Sequence, residues 1–222
     1  RISPLIVDGC KGTTLKNVSI DWETPFHHEL TVVERDPDSN SFVVEIYPKK
    51  FGFEIKAGQL LLGHYDWQDP IGQNITFDPA TNAPIWNTNE YSLRVKPNTV
   101  VTKAGENRVR LQNATKTPPP VGAVMATYGQ APTNRLAQAI HVANSSNTVI
   151  GNVTVYAAGG MALIAERSEN IHLNGFVVTS TEDRVMATRA DATHFLGCKG
   201  LVHLENCRLE HMLDDGINVH GA

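Results

Sequence analysis

Two aspartates, Asp214 and Asp215, stand side by side in the stretch HMLDDGINVHGA, with a histidine, a glycine and an asparagine close by. Earlier, Asp191 opens a second short apolar stretch, DATHFLG. Carboxylates in such a group can divide the work of hydrolysis, one giving a proton to a leaving group while others hold and polarise a water. A DD pair is equally an ordinary solvated turn, because Asp is a common turn residue. Acids and carbonyls together can also form an oxygen site for calcium. The choice depends on the elements that carry the three acids.

Those elements repeat. The segments VDGCKGTTLKNVSI, VANSSNTVIGNVTV, AERSENIHLNGFVV and FLGCKGLVHLENCRL superpose, each reading as strand, turn, strand. The turns end at Gly12, Asn147, Asn170 and Gly200, residue types that tolerate a left-handed backbone. From Asn147 to Asn170 is a step of 23 residues, and from Asn170 to Gly200 one of 30. Steps of that size, with short Val/Ile/Leu-rich strands and few helix signals, predict an all-β right-handed parallel β-helix in which each coil buries its inward residues on the next. The fixed LxxLxL pattern of a leucine-rich repeat is missing. The extra residues of the longer step fall around STEDRVMAT and predict a loop at the edge of the site.

Register then places the acids. If Gly200 anchors one coil, DGINVHG aligns Asp215 with Asp191 and Val219 with Phe195. Neighbouring parallel strands lie about 4.8 Å apart, so the two carboxylates would stack. Like charge at that distance is costly, but such a pair can jointly hold a water. In a regular strand Asp214 would face the other way; it joins the site only if the Asp-Asp-Gly216 segment bends or bulges. A proton donor set roughly 6.5–9.5 Å from a water-holding group is the arrangement of an inverting glycosidase. His194 and Asn218 fall at equivalent positions on the two strands, and with His220 and Arg189 they are the candidates for sugar hydroxyl contacts. Arg189 could instead pair with an acid. Trp22, in SIDWETP, is either a platform for a sugar face or, the commoner role, a packing residue.

Between Ile20 and about Arg135 the repeat lapses. ELTVVERDPDSNSFVVEIYP reads as one hairpin and SLRVKPNTVVTKAGENRVRLQN as a second, while the prolines of KTPPPVGAVMATYGQAPTNR predict an extended connection. The expected organisation is a first coil over 1–29, an inserted small β-barrel or sandwich over 30–135, and coils carrying the acidic site over 136–222. A net charge of -4 and no basic run argue against nucleic acid as a partner, and no stretch approaches the roughly 18 apolar residues of a membrane helix. Cys10, Cys198 and Cys207, without CxxC spacing, predict neither a zinc site nor a disulfide framework, and are expected to be buried. The first residue, Arg1, suggests a processed or excised piece.

RADATHFLGCKG followed by MLDDGINVHG resembles glycoside hydrolase family 110, the exo-acting α-1,3-galactosidases, and the early LIVDGCKGTTLKNVSIDW is also similar. The resemblance implies a β-helix interrupted by a small β-barrel and continuing beyond this motif. It implies hydrolysis of terminal α-1,3-linked galactose with inversion, without a metal or other cofactor. By motif, Asp214 corresponds to the proton donor, and Asp191 and Asp215 to the acids that activate water. An α-galactoside glycan would be the partner, homo-oligomerisation is compatible with the sequence, and a glycan substrate points to a secreted or periplasmic bacterial setting. A polygalacturonase-like hydrolase and a non-catalytic carbohydrate-binding β-helix are the alternatives.

Overall fold

The computed structural model describes residues 3–64, 68–127, 129, 135 and 137–221. Strands dominate: among the described residues there is no α-helix, only short 3-10 turns at Lys49–Phe51 and Thr88–Tyr91. No helix is therefore long and apolar enough to cross a membrane. The chain forms two compact units, Arg1–Phe26 with Asn134–Ala222, and His27–Thr133. The expected boundary at 29/30 differs slightly because His28 and Glu29 already belong to the strand His28–Asp36, whose pairing with Val124–Thr127 commits them to the second unit.

In the first unit the chain alternates between two parallel sheets. One has the order Leu5–Asp8, Ile140–Ala143, Leu163–Glu166, Thr193–Leu196, Ile217–His220. The other runs Lys199–Glu205, Glu169–Val178, Ser146–Val155, Thr14–Ile20, with Arg208–Leu209 also pairing to Glu169–Val178. Inward residues of successive tiers meet in register: Val142 pairs Ala165, which pairs Phe195, and Val153 pairs Phe176. All five are fully buried in one apolar core. Burying side chains of this size contributes roughly 1.5–3 kcal/mol each for the larger ones, which is what holds such short strands together.

The chain turns from one sheet to the other at left-handed residues. Gly12, Asn147, Asn170 and Gly200 have φ of 75°, 55°, 55° and 65°. Asn170 Nδ2 donates to Asn147 Oδ1 at 3.2 Å, and Asn170 Oδ1 accepts the Leu201 backbone N–H at 3.1 Å. Asparagine suits these places because it tolerates the left-handed backbone better than most residues, and here its short amide also bonds the neighbouring tiers. Further left-handed positions occur at Asn17 and Asn152, where Asn152 Nδ2 donates to Asn17 Oδ1, and at Asn144 and Arg167, where Arg167 Nε donates to Asn144 Oδ1.

The cysteines are less buried than expected. Cys10 is exposed, and Cys198 and Cys207 are half-buried against the core. Cys10 and Cys198 occupy the turn position held by Ser145 and Ser168 in the other tiers, where a small side chain caps the turn beside the backbone. Trp22 is half-buried and packs its ring edge-to-face on Phe26, with centroids 5.0 Å apart, which is the packing role.

The second unit is antiparallel. Its main sheet has seven strands in the order Val100–Lys103, Arg108–Gln112, Ser41–Tyr47, His28–Asp36, Val124–Thr127, Asn74–Asp78, Ala83–Pro84; a three-stranded sheet adds Phe53–Lys56, Gln59–Gly63 and Gln68–Pro70. Among the described residues neither sheet closes on itself. Two expectations need correction. Strand structure in the second hairpin begins at Val100, not Ser92, because the Leu93 backbone N–H instead donates to the Asn74 side-chain Oδ1. The presumed extended connection contains a central strand, Val124–Thr127, whose four residues are all buried between two partners. The rest of that segment beyond Thr127 lies largely outside the described residues.

Candidate active site

The three acids sit where the chain enters the last two strands of the five-stranded sheet. Thr193–Leu196 pairs in parallel with Ile217–His220, matching Thr193 to Ile217, His194 to Asn218 and Phe195 to Val219. Just before these strands, Ala192 N–H donates to the Asp215 carbonyl at 2.9 Å, so Asp191 and Asp215 are equivalent residues of adjacent tiers. Thr193–Leu196 also pairs with Leu163–Glu166, and Ala158, Thr188 and Met212 form parallel bridges in sequence. The same offsets set Gly160 and Ala190 at the level equivalent to Asp214. The acid dipeptide thus follows two tiers whose corresponding residues are small.

One donor atom from each of Asp191, Asp214 and Asp215 lies within 4.8 Å of the other two. Their environments differ. Asp191 is buried, with 1% of its side chain exposed: Oδ2 is 2.6 Å from His194 Nδ1, and Oδ1 accepts the Asp215 backbone N–H at 3.3 Å. For His194 to donate, Nδ1 must carry the proton. Asp215 is exposed, and its Oδ2 accepts from Asn218 Nδ2 at 3.2 Å. Asp214, whose side chain is 44% exposed, pairs with Arg135 across 2.9 Å. The segment between Leu213 and Gly216 is not strand, which lets adjacent Asp214 and Asp215 both reach the cluster.

The cluster is tighter than the 6.5–9.5 Å donor-to-base separation expected from an inverting pair. The physical reason is that Asp191 and Asp215 are locked to one another through the backbone, whereas Asp214 is an exposed side chain held by a surface arginine.

The remaining candidates divide. His194 and Asn218 are paired in register and each bonds an acid, while the His220 ring lies 4.9 Å from that of His194 at 32°. Arg189 is only 2% exposed, which leaves it almost no surface to offer a sugar. Arg135 was not foreseen. It stands 79 residues before Asp214, just after the inserted segment, and no local motif marks it. The STEDRVMAT segment is held at Arg184, whose guanidinium contacts Asp21 at 2.6 Å and the Tyr156 carbonyl at 3.2 Å.

Fold and site together define an all-β chain that presents a buried acid and two exposed acids from adjacent parallel tiers. Residues 28–125 match the family described as GLAA-B beta-barrel domain I. Over 98% of its length the chain is 30% identical to Alpha-1,3-galactosidase A of Shewanella woodyi, and over its full length 32% and 33% identical to Alpha-1,3-galactosidase B of Parabacteroides distasonis and of Phocaeicola vulgatus. It covers 36%, 36% and 37% of these relatives, so the chain spans about a third of the curated relatives it matches. The matches support the resemblance to glycoside hydrolase family 110, and they include the tiers that carry the acids.

Proposed function

We propose that this chain carries the catalytic acids of an inverting glycoside hydrolase that removes terminal α-1,3-linked galactose from glycans. The observation that carries the reading is the cluster of Asp191, Asp214 and Asp215, in a chain similar along its whole length to proteins named as α-1,3-galactosidases. We read the two parallel sheets as the coils of a right-handed parallel β-helix and residues 27–133 as the inserted barrel-type domain.

The roles follow from the environments. Asp215, exposed and oriented by Asn218, presents its carboxylate to the attacking water; Asp191, held by His194 and the Asp215 N–H, shares the water's proton. Asp214 gives its proton to the glycosidic oxygen as the bond to the anomeric carbon breaks and the water oxygen bonds to the opposite face of that carbon. A carboxylate held in an ion pair has no proton to give. Substrate binding must therefore draw Asp214 away from Arg135, a movement its exposure allows and one that opens space for the sugar between donor and pair. His194, Asn218 and His220 line the approach. A glycan substrate fits a secreted or periplasmic bacterial protein.

Leaving-group dependence in the full-length enzyme tests the roles. Asp214→Asn should lower turnover of a galactose-α-1,3-galactose disaccharide by about 10²–10⁴-fold and that of an activated aryl α-galactoside far less, because a stable phenolate departs without a proton. Asp191→Asn and Asp215→Asn should damage both substrates alike. Equal losses for Asp214→Asn on the two substrates would remove it as the donor.

A further inference from the structure

A second group of side chains with coordinating chemistry lies on the other parallel sheet. His172, on Glu169–Val178, pairs in register with His203, on Lys199–Glu205. Their imidazoles stack with centroids 4.8 Å apart and planes 3° from parallel. Glu205, two residues beyond His203 and so on the same face, places Oε1 2.9 Å from His172 Nε2. Asn174 Nδ2 donates to the same oxygen at 2.7 Å. One donor atom each from His172, His203 and Glu205 falls within 4.8 Å of the other two. His172 and Glu205 are more than a third exposed, and His203 is exposed.

A histidine–carboxylate ion pair accounts for two of these groups and leaves the third. Among the described residues, no hydrogen bond reaches the His203 ring, which stacks on that of His172. A shared divalent cation satisfies all three groups at once.

We propose that His172, His203 and Glu205 bind one Zn²⁺. Two imidazole nitrogens and one carboxylate form a familiar three-residue zinc set, with bonds of about 2.0–2.2 Å and donors therefore roughly 3.3 Å apart on a tetrahedral ion. The His172–Glu205 contact is already close to that spacing, and a modest rotation of the exposed His203 brings in the third donor. Calcium and magnesium prefer all-oxygen ligands, so two imidazoles select a transition-metal ion. Asn174 fixes the carboxylate, as an outer hydrogen bond commonly does for a zinc ligand. The fourth position faces solvent and takes water. Bound there, the ion ties together two strands whose ladder is interrupted by a register shift between Glu169 and Ile171.

Calorimetric titration of the chelator-stripped full-length protein with zinc chloride, followed by thermal unfolding with and without the ion, tests this site. One Zn²⁺ per chain should bind with a rise in Tm. Both effects should be lost in His172→Ala and in His203→Ala, with far-UV circular dichroism unchanged, and affinity should fall about tenfold in Asn174→Ala. His141→Ala, which breaks an isolated His141–Glu166 pair, should leave binding intact. The site is refuted if no Zn²⁺ binds, if binding survives both histidine variants, or if His203→Ala binds as well as the parent while His172→Ala does not.

Discussion

Asp191 uses one carboxylate oxygen to accept the backbone N–H of Asp215 at 3.3 Å and keeps the other 2.6 Å from His194 Nδ1. The buried acid is therefore an anchor for the acidic segment of the next tier as well as a member of the cluster. His194 reaches it from the outward face of its own strand, three residues on, and so fixes the carboxylate plane that Asp215 leans on.

His194→Ala should accordingly act through orientation. In the full-length enzyme, kcat on galactose-α-1,3-galactose should fall by about 10²-fold, the scale of a small misplacement in an active site, with a smaller change in KM. His194→Asn keeps a short N–H donor near the Nδ1 position and should recover part of kcat. Steady-state kinetics of the two variants separate this from a plain sugar contact, which would raise KM and leave kcat nearly untouched.

At Asn170 the backbone and the side chain carry separate costs. Its φ of 55° disfavours a residue with a Cβ and no local hydrogen bond, by about 1–2 kcal/mol. Asn170→Ala and Asn170→Gly both lose the bonds to Asn147 and Leu201, but glycine relieves the backbone. Urea unfolding should rank the parent most stable, then Gly, then Ala. An alanine variant as stable as the glycine one would show that the left-handed turn is not a constraint.

Much of this architecture is legible in the sequence because its causes are local. Gly12, Asn147, Asn170 and Gly200 stand out since few residue types accept positive φ, and the strand register that stacks Asp191 with Asp215 follows from aligning DGINVHG on DATHFLG with Gly200 as anchor. The turns at Asn17, Asn144 and Asn152 were harder to see, because an asparagine inside an alternating stretch looks like any outward polar residue. Arg135 could not be read at all: its partner is remote in sequence, and a lone arginine after a loop has no periodicity to betray it. Val124–Thr127 was hidden by the prolines before it, although the run AVMAT is apolar enough for a strand buried on both faces. The pairing of His172, His203 and Glu205 likewise needs the register of two strands, which no single segment encodes.

In the antiparallel unit, Glu45 supplies a pH-dependent contribution. The hydrogen bond from Lys49, and then that from Arg108, hold its carboxyl below the ordinary value of 4.5. A depressed carboxyl contributes stability that is complete above the unfolded value and is lost as pH falls through the lower folded one. Glu45→Gln should therefore flatten the acid limb of the stability curve below 4.5. At neutral pH it should cost no more than about 1 kcal/mol, since the partners are largely solvent-exposed. Urea unfolding across that range checks it; an unchanged acid limb would assign the acid sensitivity to other groups.

The central claim is that water attacks from the Asp191–Asp215 side while the leaving oxygen departs toward Asp214. Anomer-resolved proton NMR of galactose-α-1,3-galactose hydrolysis by the full-length enzyme, recorded faster than mutarotation, tests it most directly. The account predicts β-galactose as the first product, with the α anomer growing in later. Release of α-galactose first would contradict it, and would fit instead a double displacement at a cluster whose acids stay as close together as they stand here.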